Sequence, residues 1–184
     1  NRSSSSQLVY KSNGEINEIK GSTIDGTDLL SGVSYYITSR FSGKSLDLAG
    51  GDTSDGTNIQ QWTLTGGKHQ EWRVTDLGNG YVKIASMADE GSAITLNGDN
   101  IEVAAYTGAD NQQFRLIQKR GSYGIVSKSS ADATGLDVFG WSEENGGNIA
   151  GYEYWGGDCQ LWNLTPVYPV VNDGDYTLKN LNTG

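Results

Sequence analysis

The chain has 184 residues, enough for one domain with its own hydrophobic core. Its 26 glycines disfavour a helical protein, because glycine weakens helices and supplies the positive φ of tight turns, so many short strands and an all-β class are expected. A net charge of −9 excludes nucleic acid as a partner by repelling phosphate, and no apolar stretch is long enough to span a bilayer.

The N-terminal segment differs in composition from the rest of the chain. Residues 1–32 are mostly polar and include a serine run at Ser3–Ser6, which predicts a linker or the end of a preceding domain. A short hairpin is expected around Gln7–Ile19.

Three internal repeats occupy residues 33–76, 80–118 and 122–164. Each begins with residues that alternate in polarity and are rich in aromatic and β-branched side chains, a pattern typical of strands. A second apolar-alternating motif comes later in each repeat, at Ser45–Leu48, Ala93–Leu96 and Gly135–Val138. Glycine-rich turns separate these segments, and no segment carries a helical stripe.

Each repeat closes with a Gln-x-aromatic triplet, whose aromatic residues are Trp72, Phe114 and Trp162. The first two of these aromatics are closer in sequence than the last two. The central residues of the opening motifs, Asp47, Thr95 and Asp137, show the reverse order, with the longer interval first. The middle repeat has therefore lost six residues between its two motifs. Such regular self-similarity indicates a repeat architecture.

The C-terminal segment again differs in composition. Both prolines of the chain, Pro166 and Pro169, come just after the third repeat, as is typical of a domain boundary. Residues 174–179 resemble the start of the first repeat. The domain prediction is therefore a core domain over 33–165, with a linker and the truncated start of a second similar module over 166–184.

The three repeats in register resemble the ricin B-type lectin family, which includes the family 13 carbohydrate-binding modules of bacterial polysaccharide-degrading enzymes. The resemblance covers about residues 33–164. It implies a β-trefoil fold, in which Trp72, Phe114 and Trp162 belong to the core rather than to a ligand site. It also implies a shallow sugar pocket in each repeat. There, an aspartate accepts two hydroxyl hydrogen bonds, an aromatic ten residues before the closing aromatic stacks on the sugar, and a polar residue before the closing glutamine adds a contact.

Carried onto the first repeat, this arrangement is complete. Asp47 is the expected acceptor and Trp62 the platform, with Gln60 and His69 as polar partners. His69 stands where the family usually has asparagine. Both aspartates of the predicted sites are expected at the surface, not in the core.

The third repeat matches with fewer polar groups. Asp137 and Tyr152 have the same spacing as Asp47 and Trp62, but Ala150 and Cys159 replace the polar partners. Trp155, together with Tyr154 and Trp141, is expected to enlarge the apolar wall. The middle repeat has Thr95 for the aspartate, Ala104 for the aromatic and a shortened loop, so its site is predicted to be inactive.

The sequence disfavours catalysis and metal binding. One histidine and one cysteine cannot form a zinc cluster or a nucleophilic triad, and Glu143 and Glu144 are adjacent rather than facing. The resulting expectation is a non-catalytic module without metal or cofactor. It would be secreted and monomeric within a larger chain, and would target a glycan-degrading enzyme to polysaccharide carrying galactose, arabinose or xylose. The absence of the family's cysteines near Ser45 and Leu64 favours a bacterial enzyme over an animal or plant lectin. The alternative is a protein-interaction β-trefoil without sugar binding.

Overall fold

The computed structural model describes residues 4–10 and 16–167, with side chains described from residue 22 onward. The strands β1 (Ser4–Tyr10) and β2 (Ile16–Ser22) pair antiparallel, with Gln7 opposite Ile19, which confirms the expected N-terminal hairpin. The predicted start of a second module at 174–179 lies outside the described residues.

Each repeat contributes four strands. The first contains β3 (Val33–Ser39), β4 (Ser45–Leu48), β5 (Thr57–Trp62) and β6 (Glu71–Asp76). The second contains β7 (Val82–Ser86), β8 (Ser92–Asn97), β9 (Asn100–Ala105) and β10 (Phe114–Lys119). The third contains β11 (Ser122–Ser127), β12 (Thr134–Val138), β13 (Ile149–Glu153) and β14 (Trp162–Pro166). The helical elements are short 3-10 turns at Ala49–Gly51, Lys68–Gln70, Asp110–Gln112, Lys128–Ser130, Phe139–Trp141 and Asp158–Gln160. Within the described ranges, no helix is long and apolar enough to cross a membrane.

The first and last strands of the three repeats close into a six-stranded barrel. Around it, β3 pairs with β6, β6 with β7, β7 with β10, β10 with β11, β11 with β14, and β14 with β3. Closure leaves the barrel without a free sheet edge. The two middle strands of each repeat form hairpins, β4–β5, β8–β9 and β12–β13, that lie together at one end. This arrangement is the predicted β-trefoil.

A ring of three asparagines joins the hairpins near the pseudo-threefold axis. The Asn58 side-chain amide donates to Asn148 (2.9 Å), that of Asn148 to Asn100 (3.0 Å), and that of Asn100 back to Asn58 (2.9 Å). Each asparagine precedes the closing aromatic of its own repeat by the same interval. The ring therefore obeys the repeat spacing, and each hydrogen bond links two different repeats.

The closing aromatics lie in the core as predicted, with Trp72, Phe114 and Trp162 fully buried. The indole N–H groups of Trp72 and Trp162 donate to the carbonyls of Leu46 and Leu136, at 3.1 and 3.2 Å. Each bond ties the barrel to the opening motif of the same repeat.

Residues before the first repeat also pack into this core. Ile24, Leu29 and Leu30 are buried members of the hydrophobic cluster, and the Tyr35 hydroxyl lies 2.8 Å from the Leu30 amide nitrogen, which donates to it. The packed body thus begins before residue 33, because these apolar side chains belong to the same hydrophobic cluster as the barrel residues. The periodicity of the sequence shows where the first repeat begins, but it does not show where the packed domain begins.

The connections inside two of the hairpins reach onto a neighbouring repeat. From the first repeat, the Asp55 carboxylate accepts a hydrogen bond from the Ala105 backbone N–H at 2.7 Å. From the third repeat, the Asn145 side-chain oxygen accepts the equivalent bond from the Thr63 N–H at 2.9 Å. In the middle repeat, Asn97 pairs with Asn100 across a tight turn. The six missing residues are therefore those of this connection.

Candidate functional site

The predicted residues of the first repeat surround one pocket of about 400 Å³, which Gly50, Gly51 and Thr65 also line. Asp47 in β4 lies opposite Gln60 in β5, so the two share the hairpin, and Trp62 ends the same strand. His69 reaches the pocket from the 3-10 turn Lys68–Gln70. Three separate segments of one repeat thus meet at this pocket.

The carboxylate of Asp47 is held at the pocket floor by two amides. One oxygen accepts from Gln60 Nε2 and the other from Gln70 Nε2, both at 2.9 Å, while His69 Nε2 lies 3.5 Å from the second oxygen. The residue is only 3% exposed. The expectation that the aspartates lie at the surface was wrong, because neighbouring side chains pack around the carboxylate from three directions.

The glutamine of the closing triplet organises the pocket as well as the core. The Gln70 side-chain oxygen accepts hydrogen bonds from the Thr65 and Gly66 backbone amides, at 2.7 and 3.3 Å, while its amide nitrogen donates to Asp47 and to the Thr63 carbonyl. One residue thus fixes both the acceptor and the loop beside the platform. Gln112 and Gln160 make the corresponding loop contacts in their repeats.

The predicted residues of the third repeat surround a second pocket of about 360 Å³. Asp137 and Cys159 line it together with exposed aromatic side chains near its mouth. Tyr152 is 55% exposed and Trp155 is 57% exposed, against 39% for Trp62 in the first pocket. The other lining residues are Phe139, Gly140 and Trp141.

Of the aromatics expected to extend this wall, Trp141 does so and Tyr154 does not. The ring centroids of Trp141 and Trp155 lie 6.1 Å apart, and Phe41 packs edge-on against Trp141 at 5.0 Å. Tyr154 instead packs over Gly124 and Gly135, where added Cβ atoms would lie 2.3 and 3.0 Å from its side chain.

The sequence analysis identified Trp141 but missed Phe139 as a residue of the third pocket. Phe139 and Trp141 follow Asp137 by two and four residues, where the first repeat has Ala49 and Gly51 after Asp47. Trp141 has a left-handed backbone, with φ of +55°, like the glycine it replaces. A bulky residue there is strained by about 1–3 kcal/mol, and such strain often marks a functional position. Direct alignment of the two repeats would have revealed Phe139 as well as Trp141.

The electrostatics of the third pocket differ from those of the first. Burial raises the pKa of Asp137, although hydrogen bonds from Gln160 and Cys159 counteract this. Burial, aided by the charge of Asp137, raises the pKa of the Cys159 thiol to about 12, so the thiol stays protonated at neutral pH. Its sulfur lies 3.5 Å from Asp137 Oδ2, to which it donates. The thiol thus contacts the acceptor and is a weak nucleophile.

Glycines beneath two side chains distinguish these pockets from the middle repeat. A Cβ on Gly67 would lie 2.3 Å from the His69 ring, and a Cβ on Gly157 would lie 2.0 Å from the Trp155 ring. Both glycines have negative φ, as does Ala109 at the equivalent middle position. Glycine is thus required for close approach of the rings and not for backbone conformation.

The middle repeat keeps the hydrogen bond from the closing glutamine, but Thr95 replaces the carboxylate that would accept hydrogen bonds from a sugar. Thr95 Oγ1 donates to the Ala93 carbonyl at 3.0 Å and accepts from Gln112 Nε2 at 3.1 Å. Asn111 donates to the Leu96 carbonyl at 3.0 Å, so its amide is engaged in the fold. Inactivity of this repeat stays a prediction. Within residues 4–10 and 16–167, no group of three or more His, Cys, Asp or Glu side chains could hold a metal ion.

Comparison with known proteins gives a family match over most of the chain. A family model described as a ricin-type β-trefoil lectin-like domain matches residues 23–107 and 110–184. No curated protein sequence matches the chain.

Several solved structures share the fold. A designed threefold-symmetric protein, ThreeFoil, is 38% identical, with a TM-score of 0.68 over 73% of this chain and 99% of the designed one. An exo-β-1,3-galactanase from Clostridium thermocellum is 30% identical, with a TM-score of 0.67 over 84% of this chain but 32% of the enzyme. A ricin B-like lectin from Macrolepiota procera, solved in complex with lactose, is 23% identical, with a TM-score of 0.62 over 75% and 98% of the two chains.

Proposed function

Because this chain belongs to the family of ricin-type β-trefoil lectin-like domains, we propose that it binds carbohydrate without catalysing a reaction. The two binding sites are the pockets of the first and third repeats. The main support for this proposal is that the same arrangement of residues occurs in both pockets. A buried aspartate forms the floor of each pocket, and an exposed aromatic side chain, Trp62 or Tyr152, stands at its rim with the same sequence spacing from the aspartate.

The chemistry of a pyranose fits this arrangement. A carboxylate accepts hydrogen bonds from two neighbouring hydroxyls in charge-assisted contacts, while an aromatic ring covers the C–H face of the sugar. Galactose has an axial O4 that leaves one face especially apolar, so galactose is the first candidate, with arabinose and xylose next. A site with one stacking ring and a few hydrogen bonds reaches about −4 to −6 kcal/mol, near-millimolar to tens of micromolar.

The biological setting is part of the proposal. The module would be secreted, monomeric within a larger chain, and joined to a glycan-degrading enzyme of the family 13 binding-module type. The domain itself would comprise the repeats over 33–165 together with the preceding residues from Ile24 onward that pack into its core. The resemblance to one third of an exo-β-1,3-galactanase supports this setting. Two sites on one rigid body would then increase avidity for a polysaccharide with many copies of the sugar.

Titration calorimetry with galactose, arabinose and xylose tests the proposal. The wild-type chain should bind at least one of them, and a Trp62→Ala and Tyr152→Ala double variant should lose binding. The matched control is Leu64→Ala, since Leu64 is similarly exposed but lines neither pocket. Undiminished binding by the double variant would refute the site assignment. Failure of the wild type to bind any sugar of the panel would favour the protein-interaction alternative.

A further inference from the structure

A second cavity adjoins the pocket of the third repeat. It has a volume of about 450 Å³ and shares two of its walls, Phe139 and Tyr152, with that pocket. Its other side is formed by the turn Gly98-Asp99 of the middle repeat and by Thr134 and Glu153. We call this cavity the hairpin cleft. Both cavities fall within the range of volumes that small-ligand sites occupy.

The shortened middle repeat explains why the hairpin cleft exists. The first repeat covers the strand β9 with its β4–β5 connection, where Gly56 N–H donates to the Val103 carbonyl at 2.8 Å. The third repeat covers β5 in the same way, where Gly146 N–H donates to the Gln61 carbonyl at 2.9 Å. By the same symmetry, the middle repeat would cover β13 next to Tyr152.

That third cover is missing. The β8–β9 connection is a tight turn that still places the Asp99 carbonyl 3.0 Å from the Gly151 amide, which donates to it. It lacks the six residues that would continue across β13. The six-residue loss in the middle repeat therefore leaves one side of the Tyr152 platform uncovered.

The first pocket lacks this opening. There the third-repeat connection lies beside the platform, with an added Cβ on Gly146 only 3.8 Å from the Trp62 ring and 3.9 Å from the Gln60 side-chain oxygen. Asn145 fixes that connection to Thr63. The two platforms thus occupy equivalent positions but have different surroundings, closed for Trp62 and open for Tyr152.

We propose that the third-repeat pocket and the hairpin cleft form one continuous groove that binds a segment of at least two linked sugar units across Phe139 and Tyr152. The first pocket, in contrast, takes a single sugar unit. This inference rests on the proposed function and specifies its substrate. The exposed carboxylates of Asp99 and Glu153 in the cleft accept hydroxyl hydrogen bonds, as Asp137 does in the pocket. Because these acidic groups repel other anions, the groove selects a neutral chain over an acidic one.

Calorimetry with chains of increasing length tests the groove. The protein is the full chain carrying Trp62→Ala, so that only the third-repeat site is read. The ligands are the monosaccharides galactose, arabinose and xylose and the linear disaccharides and trisaccharides of each. For the sugar that binds, the trisaccharide should bind about ten-fold more tightly than the monosaccharide, which corresponds to about 1.4 kcal/mol.

Variants of the hairpin cleft test whether the added affinity for the trisaccharide arises there. Asp99→Ala combined with Glu153→Ala should weaken trisaccharide binding by roughly five-fold, as expected for lost hydrogen bonds, and leave the monosaccharide unchanged. Asp25→Ala is the control, because it removes an exposed carboxylate that lines neither cavity. A second variant replaces residues 97–99 with the sequence of residues 49–57, which restores the missing connection and should abolish the preference for longer chains.

The outcomes separate this inference from the proposed function. Equal affinity for monosaccharide and trisaccharide overturns the groove and leaves sugar binding intact. A preference for the trisaccharide that survives both cleft variants overturns the placement of the second unit. If neither the Trp62→Ala variant nor the wild type binds any of the ligands, the proposed function is overturned together with the groove.

Discussion

Replacing the two floor aspartates with alanine should remove one sugar site each but affect stability unequally. Asp47 accepts full hydrogen bonds from Gln60 and Gln70, so Asp47→Ala leaves the buried Gln70 amide with only the Thr63 carbonyl. A lost buried partner costs about 1–3 kcal/mol. Asp137 accepts a weak thiol bond from Cys159 and a hydrogen bond from Gln160, and burial nevertheless raises its pKa, so its ionised form is held at a cost. We therefore expect Asp47→Ala to lower the free energy of unfolding by about 1–3 kcal/mol and Asp137→Ala to lower it by less.

Urea denaturation of both variants, followed by tryptophan fluorescence, measures the difference. The midpoint should fall further for Asp47→Ala, with the slope unchanged. Thr95→Ala is the control at the equivalent position of the middle repeat, and it should leave sugar affinity unchanged. A greater loss of stability for Asp137→Ala than for Asp47→Ala would refute the reasoning, because it would mean that the buried carboxylate of the third pocket stabilises the fold more than its hydrogen bonds indicate.

Three further outcomes are expected from the pockets. Trp62→Ala should weaken monosaccharide binding more than Tyr152→Ala does, whereas Tyr152→Ala should act chiefly on longer ligands; equal losses at both positions for both ligands would contradict the difference between the sites. Lowering the pH should weaken sugar binding at the third site at a pH above the usual aspartate range, because the raised pKa of Asp137 favours its protonated form in the fold. Because the protonated form is favoured in the fold, acidification also stabilises the folded state at this residue. An Asp137→Asn variant titrated with sugar across pH should lose this pH dependence of affinity. Gly157→Ala should displace the Trp155 ring and weaken the third site without lowering the thermal midpoint by more than a few degrees, and an unchanged affinity would show that the ring position is unimportant.

Much of the fold could be read from the sequence because the sequence repeats. A single Gln-x-aromatic triplet is a weak signal, but three triplets in register with three opening motifs specify a threefold architecture. The buried positions of Trp72, Phe114 and Trp162 followed from the family resemblance that this register carries. The ring of Asn58, Asn100 and Asn148 has the same spacing and could have been found in the same way, as could Phe139.

Together with the family resemblance, the sequence also determined which residues share a pocket, since matched spacing on equivalent hairpins places matched side chains together. Only the tertiary structure decided their environment. Burial of Asp47 depends on Gln70 arriving from another segment, and the packing of Leu29 and Leu30 depends on a stretch outside the repeat pattern. The opening beside Tyr152 depends on what a different repeat lacks. These features come from contacts between residues distant in the chain. Periodicity within one repeat does not indicate which other segment of the chain will cover a given residue.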